Sequence, residues 1–262
     1  MFNSEKFIFN DIHSDDMNVI LVDFDNDVLK EHGLEFETEL ITDTITGYSE
    51  PFFYEGKHKV GPIILNIALV DKNNNAKEWS IEERKKVISW LMQSEFKPFI
   101  SQDDANVIYY FKCVGIKKKF NHNMQGVLEV TMQPSNSFAY TPVVYYNHIS
   151  RDNQLYSFNI DNISNLDIPY YPIIEITHLD ETTDSIEIQN TSTSSIPFTI
   201  HSLSYGDKIT IDGFIKTIVD KDGDSRLLDS NREWLYFKKG INTLNVLGKC
   251  EINIKAQYPL LV

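Results

Sequence analysis

The sequence has few cations and little cysteine, and the shortage of cations bears directly on its partners. Lys and Arg number 24 against 38 Asp and Glu, which gives a net charge of −14. A nucleic-acid-binding protein neutralises phosphates with a basic surface, and anionic membranes likewise attract basic segments. The composition therefore predicts no membrane and no specific nucleic acid as partner, and an acidic, soluble chain is its simplest interpretation.

Only two cysteines are present, Cys113 and Cys250, each in an apolar, strand-like run. We expect buried thiols rather than a disulfide, because a chain of 262 residues can build cores that need no cross-link. No basic segment followed by an apolar run opens the chain, so no signal peptide is predicted. Apolar stretches such as Ile63 to Val70 are far shorter than the ~20 residues of a membrane-spanning helix. The chain is therefore expected to fold in a cytoplasm.

The sequence also lacks G-x-S-x-G, P-loop, G-x-G-x-x-G and H-E-x-x-H motifs, and its seven histidines are scattered. Asp220-x-Asp222-x-Asp224 has the alternating acidic spacing of a calcium loop. Ser225 stands where an EF-hand has glycine, however, and Asn231 where it has the closing glutamate. A turn between strands is the better interpretation, and a looser calcium site stays open. We predict no enzyme, no cofactor and no metal site.

Residues 1–140 predict strands around one helix. Ser80 and Glu83 have the spacing of a capping box, and apolar residues, including Trp90, recur at helical spacing. This pattern predicts a helix near 80–93, which cannot continue through Pro98. Apolar runs or alternation predict strands near 7–9, 20–24, 63–70, 107–114 and 127–132. The polar, turn-rich stretch 26–60 predicts a long loop or an extended hairpin arm.

From residue 141 onward the pattern is one of short strands joined by turns. Asp212-Gly213 lies between two alternating arms, 208–211 and 214–219, and predicts a hairpin with a type I′ turn, which needs positive φ at both central positions. Asp-Gly at 222–223 and Lys-Gly at 239–240 mark two further turns. Short strands at intervals of about ten residues are typical of a sandwich or barrel. Core packing is the expected role of Trp90 and Trp234.

The order of these elements resembles that of the distal tail proteins of long-tailed, non-contractile bacteriophages (siphophages). The C-terminal segments that carry the resemblance are Tyr171-Pro172-Ile173-Ile174-Glu175-Ile176, the I-D-G hairpin within 206–213, Leu228-Asp229, a strand with Trp234, Gly240-Ile241-Asn242, and Ile252 to Tyr258. The N-terminal half matches more loosely, through the helix with Trp90-Leu91 and a strand with Tyr109-Tyr110-Phe111. These motifs are structural, so we expect turn and core anchors at Trp90, Asp212, Gly213, Trp234, Gly240 and Asn242.

The resemblance implies a mainly β fold with one main helix. Residues 1–140 would form an N-terminal ring-forming domain, a β-sandwich or split barrel, and residues 141–262 a C-terminal galectin-like β-sandwich. It implies a virion structural protein, a hub at the distal end of the tail that assembles into a ring, commonly a hexamer. Such a ring joins the tail tube protein to the tail-tip (tail-associated) protein and the baseplate. In many phages it also holds receptor-binding proteins, and it is assembled in the host cytoplasm.

Two other functions remain open at this stage. Adjacent tyrosines at 109–110, 145–146 and 170–171 would place one ring on each face of a strand, and outward rings can stack on sugars or bury at an interface. This pattern favours a carbohydrate-binding β-sandwich module used in host-surface adhesion. A glycoside-cleaving tail enzyme would need two carboxylates facing each other in a cleft, and no pair stands out in the sequence.

Overall fold

The computed structural model describes residues 2, 4–23, 36–44, 46, 48, 50–193 and 196–262. Of the strand residues 36–38, 55 and 57–59, it describes the backbone alone. The chain divides into two compact units. The first unit comprises Met1–Tyr140 with Leu261–Val262, and the second comprises Thr141–Leu260.

Strands dominate the first unit. The elements are β1 (Phe7–Phe9), β2 (Ile12–His13), a 3-10 helix (Ser14–Met17), β3 (Val19–Val22), β4 (Phe36–Asp43), β5 (Phe52–Val60), β6 (Ile63–Leu69), α1 (Ile81–Leu91), β7 (Lys97–Ser101), β8 (Tyr109–Phe120), β9 (Gly126–Pro134) and β10 (Ala139–Tyr140). Seven of these strands form one antiparallel sheet in the order β2-β1-β7-β8-β9-β6-β3, and β4 pairs with β5 in a separate hairpin. The described strands leave this sheet open, so it is not a closed barrel.

Helix α1 begins with the predicted capping box. The Ser80 hydroxyl accepts a hydrogen bond from the Glu83 amide at 3.1 Å, and the Glu83 carboxylate accepts one from the Ser80 amide at 3.1 Å. Two amides that the helix itself leaves without partners are thereby satisfied. Val87, Trp90 and Leu91 form the buried face of the helix. The predicted helix is confirmed.

Strand β8 is longer than the sequence predicts. Its apolar run ends at Val114, but the strand continues to Phe120 through Lys117 and Lys119. Both lysines pair with Glu129 on the neighbouring strand β9. Because these side chains point to solvent and are paired across the strands, the backbone stays extended where the apolar pattern has stopped.

The second unit is a two-sheet sandwich. Its elements are β11 (Val144–Ser150), β12 (Tyr156–Asn162), β13 (Ile173–His178), β14 (Ile186–Asn190), β15 (Phe198–Ile200), β16 (Lys208–Asp212), β17 (Thr217–Asp220), a 3-10 helix (Leu227–Asp229), β18 (Gly240–Leu247), β19 (Cys250–Ala256) and β20 (Pro259–Leu260). The two sheets have the strand orders β11-β19-β13-β16-β17 and β12-β18-β14-β15.

Alternation builds the core of this sandwich. In β13, Ile174 and Ile176 are buried and lie opposite Ile254 and Ile252 of β19. The second sheet contributes buried side chains in the same way, among them Ile186, Ile188, Phe198, Leu244 and Val246. Because successive side chains of a strand face opposite sides, these residues line one interior and leave the polar residues outside. The predicted mainly β fold with one α-helix is confirmed among the described residues.

Both cysteines are free and buried, as predicted. Burial raises the pKa of the Cys250 thiol to about 12 and raises that of Cys113 as well. A thiol that holds its proton at neutral pH is a poor nucleophile. We therefore assign both cysteines to packing.

Candidate functional site

The hairpin of β4 and β5, with the turn between them, presents apolar side chains to solvent; we call residues 36–60 the hairpin arm. Leu40, Phe53 and Tyr54 are 61%, 61% and 64% exposed. Tyr48 and Phe52 are also exposed, and their ring centroids lie 5.7 Å apart. An isolated two-stranded hairpin is marginally stable in water, and exposed apolar patches mark interaction sites. The arm is therefore a candidate surface for association.

Trp90 joins α1 to strand β1. Its side chain is 4% exposed, its indole Nε1 donates to the Phe9 carbonyl at 2.9 Å, and its ring stacks on Phe7 with centroids 5.6 Å apart. The indole thus supplies both apolar contact and a hydrogen bond to strand β1. The sequence pattern indicated the buried face of the helix, but not the hydrogen bond.

Replacing Trp90 with phenylalanine should destabilise the first unit. The substitution keeps an aromatic ring but leaves the Phe9 carbonyl without the indole donor. The net contribution of one such hydrogen bond to stability is about 0.5–1.5 kcal/mol. We expect a loss of this size in the free energy of unfolding, measured by urea titration with circular dichroism. Met92→Ala, which removes an exposed side chain just after the same helix, is the control and should change little. Equal stability of Trp90→Phe and wild type would show that the hydrogen bond contributes nothing.

The Asp212-Gly213 hairpin forms, but its predicted type I′ turn is wrong. Four residues, 213–216, connect β16 to β17, and the positive φ falls at Lys216 (60°), not at Gly213. The Asp212 carboxylate accepts hydrogen bonds from the amides of Phe214 (2.9 Å) and Ile215 (3.1 Å), which favours this longer loop. Gly213 serves close packing instead, since a Cβ there would lie 3.2 Å from the Cβ of Tyr171.

Trp234 lies at the rim of the sandwich core rather than inside it. Residues 231–236 do not form a strand, so the predicted Trp-containing strand is wrong. Phe237, which follows this segment, makes an isolated bridge with Tyr170. Leu235 and Phe237 fill the core, and Trp234 is half-buried. The ammonium group of Lys216 lies 4.9 Å from the Trp234 ring centroid, a cation–π contact.

Lys216 also contacts Tyr171, and we call its two ring contacts, with Trp234 and with Tyr171, the lysine clamp. The Lys216 ammonium lies 3.7 Å from the centre of the Tyr171 ring, and desolvation lowers the pKa of Lys216. One lysine thus contacts two ring faces that a sugar would otherwise use for stacking. Sequence reasoning missed this clamp because Lys216 and Trp234 are distant in sequence and meet only after the hairpin has folded.

Gly240 and Asn242, the first and third residues of strand β18, stabilise the turn that precedes the strand. Gly240 has a φ of 81°, a conformation that glycine adopts without strain. Asn242 is fully buried; its Nδ2 donates to the carbonyls of Lys238 and Gly240, both at 2.8 Å. Its Oδ1 accepts from the Lys238 amide at 3.0 Å and from Asn190 Nδ2 at 2.9 Å. The Asn242 side chain therefore satisfies backbone donors and acceptors of the turn that would otherwise lack partners within it.

Asp180, which the sequence analysis did not select, ties loops of the second unit together. Its side chain is 1% exposed and accepts hydrogen bonds from Asn153 Nδ2 (2.7 Å), Thr183 Oγ1 (2.8 Å) and the amide and hydroxyl of Thr182 (3.0 and 2.8 Å). The Lys249 ammonium lies 3.4 Å away. The bond from Asn153 and those from Thr182 and Thr183 hold the pKa of Asp180 well below its usual range. The sequence Asp-Glu-Thr-Thr carries a usable signal, since aspartate often accepts from residues two and three positions later.

Acid should therefore weaken the second unit through Asp180. A carboxyl whose folded pKa is depressed stabilises the fold above its unfolded pKa of about 3.9 and loses that contribution as the pH falls below it. Asp180→Asn should lower the melting temperature at pH 7, and the difference from wild type should shrink as the pH falls below about 4. Thermal melts from pH 7 to pH 2 test this, with the exposed Asp222→Asn as control. A difference that stays constant with pH would contradict the assignment.

Next to Asp180 lies an open cavity of about 420 Å³. Its lining is mainly polar and comprises Asp180, Glu181, Thr182, Thr183, Asp184, Leu203, Ser204 and Tyr205. Within the described ranges, no group of three or more His, Cys, Asp or Glu side chains is placed to hold a metal ion. The same part of the chain contains no helix with the length and apolarity that crossing a membrane requires.

The acidic segment 220–224 forms a turn, and the carboxylate of Asp220 accepts hydrogen bonds from backbone amides of that turn. Asp220 Oδ1 accepts from the amides of Asp222 and Asp224, both at 3.0 Å, and Gly223 has a φ of 87°. This arrangement agrees with the turn interpretation of the alternating aspartates.

Comparisons with known proteins agree with this architecture. Residues 2–136 match the family described as phage tail protein N-terminal domain, and residues 138–256 match the phage tail C-terminal domain. A curated relative is an uncharacterized SPbeta prophage-derived protein, YomH, of Bacillus subtilis (strain 168); it is 22% identical over 98% of each chain.

A solved structure shares the fold. It is the Dit (gp 19.1) protein of phage SPP1, described as a paradigm of the hub adsorption apparatus in phages that infect Gram-positive bacteria. The TM-score is 0.65 at 11% identity, over 97% of this chain and 98% of that one. The resemblance to distal tail proteins predicted from the sequence is confirmed. Because family matches cover both halves of the chain, this protein belongs to the phage tail protein family.

Proposed function

We propose that this tail protein is the structural hub at the distal end of a siphophage tail. The observation that carries the proposal is the shared fold with SPP1 Dit, which extends over 97% of the chain and therefore includes both units. As a hub, the protein joins the tail tube protein to the tail-tip protein and baseplate, and it offers a mounting surface for receptor-binding proteins. It acts without catalysis or cofactor, and it assembles in the host cytoplasm before it becomes part of the virion.

In this proposal the first unit is the ring-forming domain, and the ring is a homohexamer. The hairpin arm supplies the physical basis for ring assembly. Leu40, Phe53 and Tyr54 expose apolar surface, and exposed apolar patches on soluble proteins mark sites of association. Burying such side chains against a neighbouring subunit contributes about 1.5–3 kcal/mol for each large apolar residue. Repeating one contact around a closed ring satisfies every arm with the same surface of the next subunit.

The second unit is the galectin-like sandwich, and it presents partner surfaces rather than an active site. A carbohydrate-binding role is the second candidate, favoured by the Tyr171 and Trp234 rings. Lys216 already covers both rings, so they do not form a free stacking platform. A glycan array with the wild type and Lys216→Ala separates the two roles, since sugar binding by the wild type would favour adhesion.

The native mass of the purified chain, with negative-stain images, tests the hub. We expect six-fold rings for the wild type and their loss when Phe53 and Tyr54 are both changed to serine. The matched control changes Phe214 and Ile215 to serine, because these residues are also well exposed (79% and 62%) but lie in the second unit. A strict monomer at high concentration, or rings that survive the arm variant and not the control, would overturn the proposed arrangement.

A further inference from the structure

Strand β11 is an unprotected edge of the second unit. It pairs with β19 along its whole length on one side, and no other strand of the described chain pairs with its second side. An edge of this kind presents unpaired amide and carbonyl groups that can accept another extended chain. Proteins usually block such edges with charged residues, proline, a bulge or a short strand.

The residues of β11 include none of these protections. Its seven residues, Val-Tyr-Tyr-Asn-His-Ile-Ser, contain no proline, glycine, lysine, arginine or carboxylate, and the pairing with β19 has no register shift. The opposite edge of the same sheet differs: β17 has four residues and ends in Asp220. The contrast indicates that the free edge of β11 can accept another strand.

The inward side chains of β11 are already occupied. The Tyr146 hydroxyl donates to the Asp161 carbonyl at 3.2 Å, and His148 stacks on Phe158 with ring centroids 3.7 Å apart. The outward side chains are Tyr145, Asn147 and Ile149, and all three are exposed, Tyr145 to 64% and Ile149 to 46%. The strand is thus held rigidly from inside while its outer row and its edge stay open.

This outer row is complementary to itself. If two copies of β11 pair antiparallel about a two-fold axis at Asn147, Tyr145 of one copy lies opposite Ile149 of the other, twice. An aromatic residue opposite a β-branched residue is a favourable cross-strand pair. Asn147 then faces its own copy, and Tyr146 lies opposite His148. No like charges meet at any position of this register.

We propose that β11 is an interface for a second copy of this chain, through antiparallel edge-to-edge pairing centred on Asn147. The pairing joins two five-stranded sheets into one sheet of ten strands. Neighbouring subunits of a six-fold ring are related by a rotation of 60° and not by a two-fold axis, so this isologous contact links subunits of two different assemblies rather than neighbours within one. The proposal does not depend on the hub function, because it needs only the second unit and its edge.

Cysteine cross-linking of the full chain tests the register. In the paired state, Asn147 residues of the two copies face each other with Cα atoms about 4.5–5.5 Å apart, within the range that a disulfide spans. Asn147→Cys should therefore form an interchain disulfide on mild oxidation, doubling the 30.3 kDa chain on a non-reducing gel. The native cysteines do not interfere, because both are buried.

Two matched variants make the test specific. Tyr145→Cys faces Ile149 of the other copy in this register, so it should not cross-link to itself. Glu175→Cys is exposed on the same face of the same sheet but on the central strand β13, so it reports random collision. Cross-linking at Asn147 no greater than at Glu175, or greater at Tyr145 than at Asn147, would overturn the proposed pairing.

A second measurement needs no cysteine. Changing both Tyr145 and Ile149 to lysine places like charges opposite each other across the proposed edge, which should abolish the pairing. Sedimentation velocity over a range of concentrations should then show loss of the doubled species. Both side chains are exposed, so the fold should be kept, as far-UV circular dichroism checks. A doubled species that persists in the folded lysine variant would also overturn the proposal.

Discussion

Replacing Gly126 with alanine is expected to break the β8–β9 hairpin and with it much of the first unit. Gly126 has a φ of 149°, and a Cβ at this position would lie 2.0 Å from the carbonyl oxygen of Lys119. That oxygen belongs to the backbone of the paired strand, so no side-chain rotation can relieve the overlap. The strands must separate or Gly126 must change its backbone angles.

Either movement also disturbs Trp79. The Gly126 carbonyl accepts a hydrogen bond from the Trp79 indole at 2.9 Å, and this indole is 2% exposed. Strain of this kind costs about 1–3 kcal/mol, and the displaced indole adds a buried donor without a partner, another ~1–3 kcal/mol. We expect a total loss of about 2–6 kcal/mol in the free energy of unfolding of the first unit.

Urea titration followed by tryptophan fluorescence measures this loss. Gly61→Ala is the matched control, because a Cβ at Gly61 meets nothing within 4 Å and its φ is not positive. This control should stay within about 0.5 kcal/mol of wild type, as surface substitutions usually do. A Gly126→Ala protein as stable as Gly61→Ala would show that the hairpin can relax around the added methyl group.

Local signals in this chain predicted local structure well. The capping box at Ser80 and Glu83 fixed the start of α1, because both of its hydrogen bonds form within four consecutive residues. Alternating isoleucines in β13 and β14 predicted strands, because alternation directly records one buried face. The Asp-Gly signal at 212–213 placed a hairpin but gave the wrong turn, since the Asp212 side chain stabilises a longer loop.

Features that depend on distant pairing could not be predicted. Asp180 contacts Asn153 and Lys249, which approach it only when both sheets have formed. Strand β11 is an edge because β19, from the far end of the chain, is its neighbour; no local pattern states which strand lies at an edge. The free edge of β11 and the contacts of Asp180 therefore depend on the order of strands in the sheets, which local sequence does not specify. The turn anchors, in contrast, depend on short sequence segments.

Asn242→Asp should be the most destabilising conservative change in the second unit. The aspartate has the shape of asparagine but lacks the two amide protons that Asn242 donates to the Lys238 and Gly240 carbonyls. A carboxylate would face both carbonyl oxygens at a fully buried position. The Lys238 amide and Asn190 Nδ2 still donate to one carboxylate oxygen, but the other oxygen faces the two carbonyls with no donor. A buried charge left without a partner costs about 3–5 kcal/mol, and we expect a loss towards the lower end of that range at pH 7.

The pH dependence gives this variant a signature that cavity formation or lost packing would not produce. Burial and facing carbonyl oxygens both disfavour the charged form, so the pKa of an aspartate at position 242 should be raised in the folded state. A raised folded pKa means that the folded state binds the proton more tightly than the unfolded state. The variant should therefore recover part of its stability as the pH falls from 7 towards 4, whereas loss of packing would be independent of pH.

Asn245→Asp is the matched control for this experiment. Asn245 lies on the same strand, is only partly buried, and accepts a hydrogen bond from the Ser157 hydroxyl at 2.7 Å, which a carboxylate can still accept. The control should unfold within about 1 kcal/mol of wild type and without recovery in acid. If Asn242→Asp matched the control at pH 7, the turn before β18 would be stable without the asparagine amide, and Asn242 would lose its assignment as the anchor of that turn.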